Sequence, residues 1–257
     1  MPPTAAIYLL AGVLGAMFGS FLNVCIIRLP RGQSVVTPRS SCPGCGHLIR
    51  AWDNIPVLSW IILGGKCRDC GTRISVQYPL IELASAALAI VVLYKTGINW
   101  LWLSEYVFLF FLMGIAATDV KHYLIPDVFS LGGLLAGLAL SFLPGTIDPA
   151  GAGIGALTGG GALYLVALAG RVAFGREAMG GGDVKMLAMI GAFTGWQGVL
   201  FTVFAGSLLG SLIFGFINYV LKKEKLVPFG VFLALGAGLY VFTGAKLIAW
   251  YLSLFNL

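Results

Sequence analysis

The chain has 257 residues, of which 59% are hydrophobic and only 10% charged, against about 25% charged in an ordinary soluble domain. That balance excludes a soluble globular enzyme and specifies an integral membrane protein, and its 36 glycines fit closely packed membrane helices, where small residues let backbones approach. The net charge of +6 does not point to nucleic acid: the basic residues form no face interleaved with aromatics and fall between apolar runs, where they report topology.

The first apolar run, 5–27, ends in FGSFLNVCIIRLP. It lacks the basic start and small-residue cleavage site of a signal peptide and carries Ser20 and Asn23, so it reads as a retained spanning helix. Arg28 and Arg31 mark its inner end. Cys25, inside the run, reads as a small buried hydrophobe. From 28 to 77 the character changes, with Pro, Arg, Cys and Asp concentrated and no stretch able to cross a bilayer. Seven further apolar runs follow, at about 78–94, 100–118, 127–143, 151–172, 184–197, 198–220 and 229–254, several near the lower limit of roughly 17 residues for a spanning helix. The division between the sixth and seventh crossings rests on Gly195-Trp196-Gln197-Gly198. Pro144, Gly145, Asp148 and Pro149 make one clear break, and Lys222, Lys223, Glu224 and Lys225 make another.

The expected fold is therefore an all-α polytopic membrane protein of about eight transmembrane helices with a small cytoplasmic zinc-binding loop. Its organisation is a first transmembrane helix at 1–27, a four-cysteine subdomain at 28–77 and a helical bundle at 78–257. With the N-terminus outside, fourteen of the sixteen basic residues, Arg176 among them, fall on the inner side, leaving only Lys95 and Lys246 outside. This is the asymmetry of the positive-inside rule. It places the cysteine loop and the two aspartates discussed below at the cytoplasmic face.

Four of the five cysteines read Cys42-Pro-Gly-Cys45 and Cys67-Arg-Asp-Cys70, with 21 residues between the pairs. Two such knuckles converging on one ion supply the tetrahedral thiolate set of a structural zinc. Two disulfides or a redox pair are the alternatives. A cytoplasmic loop is kept reduced, and a thioredoxin-like motif needs a βαβ context that is missing. Closed four-cysteine coordination leaves no open position, so the metal is expected to fold the loop rather than perform chemistry. His47, beside the second knuckle cysteine, is a substitute ligand that four cysteines make unnecessary.

The stretch MGGGDVKM, Met179 to Met186, sets an acid after three glycines at the mouth of an apolar run. A tight turn with Asp183 capping the next helix is one reading. The triplet Asp-Val-Lys recurs, however, in ATDVKHYLIPD, at Asp119 to Lys121, again at the edge of an apolar run. Ionisable groups in such places are expensive and functional by default. Asp119 and Asp183 enter the membrane from the same side at similar depth. Two carboxyls brought together in a low-dielectric site cannot both ionise, so one holds a proton while the other accepts one from water, as in aspartic peptide hydrolysis. Lys121 and Lys185, two positions on, project to another side of the helix and are expected to snorkel to the interface. Asp127 is expected to cap the helix it begins. His122 reads as an interfacial histidine, with a general base as the alternative. Glu82, about one turn into the second crossing, either meets the helix dipole or binds a charged substrate. A carboxylate-gated transporter or a non-enzymatic assembly scaffold with a zinc module remain rival readings.

FGSFLNVCIIRLP, SCPGCGH, DNIPVLSW, CRDCGTRIS, QYPLIELASA, TDVKHYLIPD, AMGGGDVKM and VPFGVFLALG together resemble, in the same order, the motifs of the bacterial type IV prepilin peptidases. Gly180, Gly182 and Asp183 match the G-x-G-D pattern that this family shares with presenilin-type intramembrane aspartyl proteases. Val231 departs from the family, many members of which have proline after the PFG triplet. The resemblance implies Asp119 and Asp183 as the catalytic pair and Cys42, Cys45, Cys67 and Cys70 as zinc ligands. It also implies prepilin and pseudopilin substrates, cut after a glycine that ends a basic leader just before the hydrophobic helix. The new N-terminal residue would be methylated with S-adenosylmethionine as donor. The implied location is the inner membrane, with the lipid bilayer, pilus or type II secretion machinery as partners and no nucleic acid. No glycine-rich Rossmann fingerprint for the methyl donor is present, so the donor-binding residues stay unassigned and the second activity rests on the resemblance alone.

Overall fold

The computed structural model describes residues 3–175, 180–221 and 228–253. Arg176, Ala178, Met179, Lys222, Lys223, Glu224, Lys225 and Val227, each part of a motif or charge cluster named above, lie outside them. The chain divides into two compact units, Met1–Trp102 and Leu103–Leu257.

In the first unit, α1 (Ala5–Arg28) is apolar on nearly every side, the pattern of a helix solvated by lipid rather than water. Its partner is α3 (Gln77–Thr96). Gly15 and Gly19, one turn apart, form the contact. A Cβ on Gly15 would lie 2.8 Å from the Ser85 carbonyl and one on Gly19 would lie 2.8 Å from Glu82 Cα, so only glycine allows this approach. Leu9, Leu10, Val13, Met17 and Phe18 stay exposed. Between the two helices, 29–76 holds short 3-10 turns at Leu29–Arg31 and Ala51–Asn54, the five-residue α2 (Leu58–Ile62) and two isolated β-bridges.

The second unit holds all but the first residues of α4 (Trp100–His122), then α5 (Asp127–Leu140), α6 (Pro149–Phe174), α7 (Gly181–Leu221), α8 (Phe229–Leu239), a π-helical turn at Tyr240–Gly244 and α9 (Ala245–Ser253). Helix α7 is broken at Gly195, whose φ of 70° and ψ of −179° interrupt it, at the division predicted from sequence. In its first half Met186, Leu187, Met189 and Ile190 are fully buried, and this half packs against α5 and α6. Gly155 of α6 and Gly191 of α7 meet backbone to backbone. Asp148 caps α6, accepting the Gly151 N–H at 2.8 Å, with Pro149 in the first turn.

Five helices are long and apolar enough to cross a membrane, and Asp127–Leu140 and Phe229–Gly244 are shorter apolar helices. With α7 broken at Gly195, the described residues hold eight apolar helical segments, the number the hydropathy pattern predicts.

Candidate functional site

Asp119 lies in the last turn of α4 and is buried. Asp183 is the third residue of α7, half-buried, and its N–H bonds back to the Gly180 carbonyl at 3.2 Å. The side chain of Ile125, from the short α4–α5 connection, brings the helix ends together. A Cβ on Gly182 would lie 3.0 Å from Ile125 Cβ, and one on Gly230 would lie 3.0 Å from Ile125 Cδ1 and 2.8 Å from Asp119 Oδ2. The starts of α7 and α8 therefore converge on the Ile125 side chain, and glycine gives close approach where they touch it. The Val231 N–H, in the first turn of α8, donates to Asp119 Oδ2 at 3.2 Å. Asp183 lies within electrostatic range of Asp119. The arrangement thus sets two carboxyls together, one of them bonded to a helix N-terminus, which favours negative charge.

One expectation needs correction. Asp127 does not cap α5: the cap position is Pro126, and no side-chain cap bond forms. Its Oδ1 instead accepts Lys185 Nζ at 2.7 Å. Lys185 reaches across to the start of α5, since two residues along a helix turn its side chain about 200° from that of Asp183. The pair ties the start of α5 to the helix that carries Asp183. His122 is exposed at the end of α4.

The four cysteines meet. Their Sγ atoms all lie within 4.8 Å of one another, and Cys42 and Cys70 are 3.7 Å apart. A tetrahedron of thiolates about 2.3 Å from a zinc ion has edges of about 3.8 Å, so the set fits that metal. The two knuckles are built alike. The Cys42 N–H bonds to the His47 carbonyl and Gly46 N–H to the Cys42 carbonyl, while Cys67 N–H bonds to the Thr72 carbonyl and Gly71 N–H to the Cys67 carbonyl. Gly46 and Gly71 both have φ of 72°, the left-handed turn that glycine takes without strain. Hydrogen bonds from Thr72 pull the Cys70 thiol down, while burial and the neighbouring cysteines push that of Cys45 up. His47 is not part of the cluster. The Arg68 guanidinium holds Asp53 through bonds of 2.6 and 2.9 Å, tying the second knuckle to the turn at Ala51–Asn54.

A third polar cluster sits within the first unit. Glu82, only 6% exposed, accepts the Val57 N–H at 2.7 Å and bonds to the Ser20 hydroxyl. Asn23, 1% exposed, donates to the Tyr78 carbonyl at 3.1 Å and accepts from Gln77 Nε2 at 3.4 Å. Val57 has φ of 64°, a genuine outlier for a β-branched residue.

Sequence reasoning missed Ile125, Gly230 and the Val231 amide. The signal available for them was the pair of motifs IPD and PFG, which name positions but not contacts.

Residues 13–96 match the family described as "Bacterial Peptidase A24 N-terminal domain", and residues 106–215 match "Type IV leader peptidase family". Three curated relatives are each named "Prepilin leader peptidase/N-methyltransferase". The protein of Myxococcus xanthus is 39% identical over 82% of this chain and 62% of its own length. That of Aeromonas salmonicida is 36% identical over 92% of this chain and 91% of its own length. That of Pseudomonas aeruginosa is 34% identical over 94% and 92%. No solved structure gives a significant match.

Proposed function

We propose that this chain, which belongs to the type IV leader peptidase family, is a membrane aspartic endopeptidase that removes leader peptides from prepilins and methylates the new N-terminus. The observation that carries the reading is the meeting of Asp119 and Asp183 around Ile125, where the starts of α7 and α8 converge.

The hydrogen bond from Val231 sets the roles. A carboxylate accepts a backbone N–H more strongly than a carboxylic acid does, so Asp119 carries the charge and Asp183 the proton. Asp119 takes a proton from water as the hydroxyl adds to the scissile carbonyl carbon, and Asp183 gives its proton to the carbonyl oxygen. Collapse of the tetrahedral intermediate breaks the C–N bond. The proton on Asp119 then passes to the leaving nitrogen, and the hydroxyl proton returns to Asp183. Both carboxyls end as they began.

Zinc, held by Cys42, Cys45, Cys67 and Cys70, would supply folding energy to the loop. S-adenosylmethionine supplies an electrophilic methyl group when bound. An open cleft of about 350 Å³ in the same loop has residues of suitable type for it: Arg39 for a carboxylate, Ser40 and Asn54 for polar edges, Ile49 and Ala51 for the adenine. The distribution of basic residues supports an inner-membrane location with the aspartates at the cytoplasmic face. Pseudopilins are substrates of the same kind, and pilus or type II secretion machinery would receive the product.

The test is to incubate the purified protein with a prepilin and S-adenosylmethionine and weigh the products. Leader loss and a gain of one methyl group support the reading, whereas an unchanged prepilin overturns it.

A further inference from the structure

We propose that Glu82 is the anionic site that receives the free α-ammonium of the processed pilin for methylation. The inference rests on the methyltransferase half of the reading above and adds the residue that recognises the nucleophile.

Four observations carry it. First, Glu82 is a buried carboxylate on a membrane helix with no basic partner: among the described residues, ion pairs engage Asp53, Asp69 and Asp127 but not Glu82. Such a group is costly, and a functional partner is the default explanation. Second, it has unused acceptor capacity. A carboxylate offers about four lone-pair sites, and Val57 N–H and Ser20 use two. Third, the residue that covers it is strained. Val57 takes a positive φ, a strained conformation of the kind that clusters at ligand clamps. Fourth, the depth is right. Glu82 lies five residues into α3, about 7–8 Å along the helix axis, and a prepilin cut just before its hydrophobic helix presents its ammonium at the head of an apolar segment. Ser20, Asn23 and Gln77 line the same end of the helix pair with polar atoms.

Chemistry asks for a carboxylate here. An ammonium has no lone pair and cannot accept a methyl group. It passes one proton to Glu82, and the resulting amine forms the N–C bond as the C–S bond of the sulfonium breaks, with its electron pair going to sulfur. The products are a secondary ammonium and a neutral thioether, and Glu82 later returns its proton to water. Asp119 and Asp183 have no part in this step.

The substitution Glu82→Gln separates this role from a structural one. A glutamine carbonyl still accepts the Val57 N–H, but it neither attracts an ammonium nor takes its proton. Glu82→Gln is expected to cleave prepilin at the wild-type rate and to methylate at least 100-fold more slowly. Glu82→Gln that methylates like wild type, with only Glu82→Ala defective, makes Glu82 an anchor for Val57 and overturns the proposal. A second measurement needs neither a variant nor the methyl donor. Wild-type protein is expected to bind mature pilin at least tenfold more tightly with a free N-terminus than with an acetylated one. Equal affinity overturns the proposal whether or not Glu82→Gln folds. Absence of methylation by the wild type, with the free-amine preference intact, would count against the assigned function but support the site.

Discussion

The Val231 amide donates to Asp119 Oδ2 across 3.2 Å, so the first turn of α8 is bonded to the acid that ends α4, 112 residues earlier in the chain. The two aspartates are thereby unequal. Asp119 is tied to a helix N-terminus, while Asp183 sits beside it at the end of a glycine run. In the proposed hydrolysis that inequality would divide the pair into base and acid. It would also make α8, which contributes no acid of its own, part of the proposed reaction centre.

Gly230 is the position that makes the bond feasible. A Cβ there would lie 2.8 Å from Asp119 Oδ2 and 3.0 Å from Ile125 Cδ1, closer than side chains tolerate. Gly230→Ala must push α8 or the Asp119 carboxyl aside. A displacement approaching 1 Å at a reacting group costs about 100-fold, so leader cleavage should fall about 10- to 100-fold in kcat, with KM changed much less. Initial rates at several prepilin concentrations separate the two.

The Asp127–Lys185 pair is exposed on both sides and contributes only about 0.2–1 kcal/mol to stability. Its larger consequence is for the placement of Asp183. Asp127→Lys sets two cations together and should slow cleavage several-fold. The exchange of both, Asp127→Lys with Lys185→Asp, should restore most of the rate. The single-variant defect should shrink in 1 M salt, where the Debye length falls to about 3 Å.

The eight apolar segments and the cysteine cluster were legible in the sequence because each depends on local or strongly typed information. Run length and hydropathy mark a spanning helix. Two C-x-x-C knuckles can satisfy one ion in few other ways. The contacts of Ile125, Gly230 and Val231 were not legible, because they join segments more than fifty residues apart and involve a backbone amide that no residue type announces. Asp127 shows the same limit: its position at a helix start suggests a cap, whereas its partner comes from another helix. Glu82 was visible as an anomaly, but its bond to Val57 depends on a backbone turn that hydropathy cannot show.

Metal removal should act on one unit. Chelation, or Cys42→Ser with Cys67→Ser, should release one zinc per chain and make 28–77 sensitive to limited proteolysis. Methylation should fall at least tenfold, while cleavage, whose residues lie in the other unit, should stay within about threefold. Zinc content and both rates can be read from the same samples.

The Asp53–Arg68 contact predicts a pH signature. The Arg68 guanidinium, bonded to Asp53, holds its carboxyl below the ordinary value of 3.8. A carboxylate depressed on folding binds fewer protons in the folded state. Its stabilisation is therefore complete above about pH 4 and is lost as pH falls through the folded value. The difference in urea midpoint between wild type and Asp53→Asn should be constant from pH 5 to 8 and shrink as the pH falls below the ordinary carboxylate range.

The most direct test of the shared-proton pair is the initial rate of leader removal by purified Asp119→Asn and Asp183→Asn. Asparagine keeps the size of each side chain, and at position 119 its carbonyl still accepts the Val231 N–H, so the helix ends should hold together. Each variant is expected to lose at least 1,000-fold in cleavage while keeping its helical circular dichroism and its zinc. Cleavage at the wild-type rate by either variant would contradict the account.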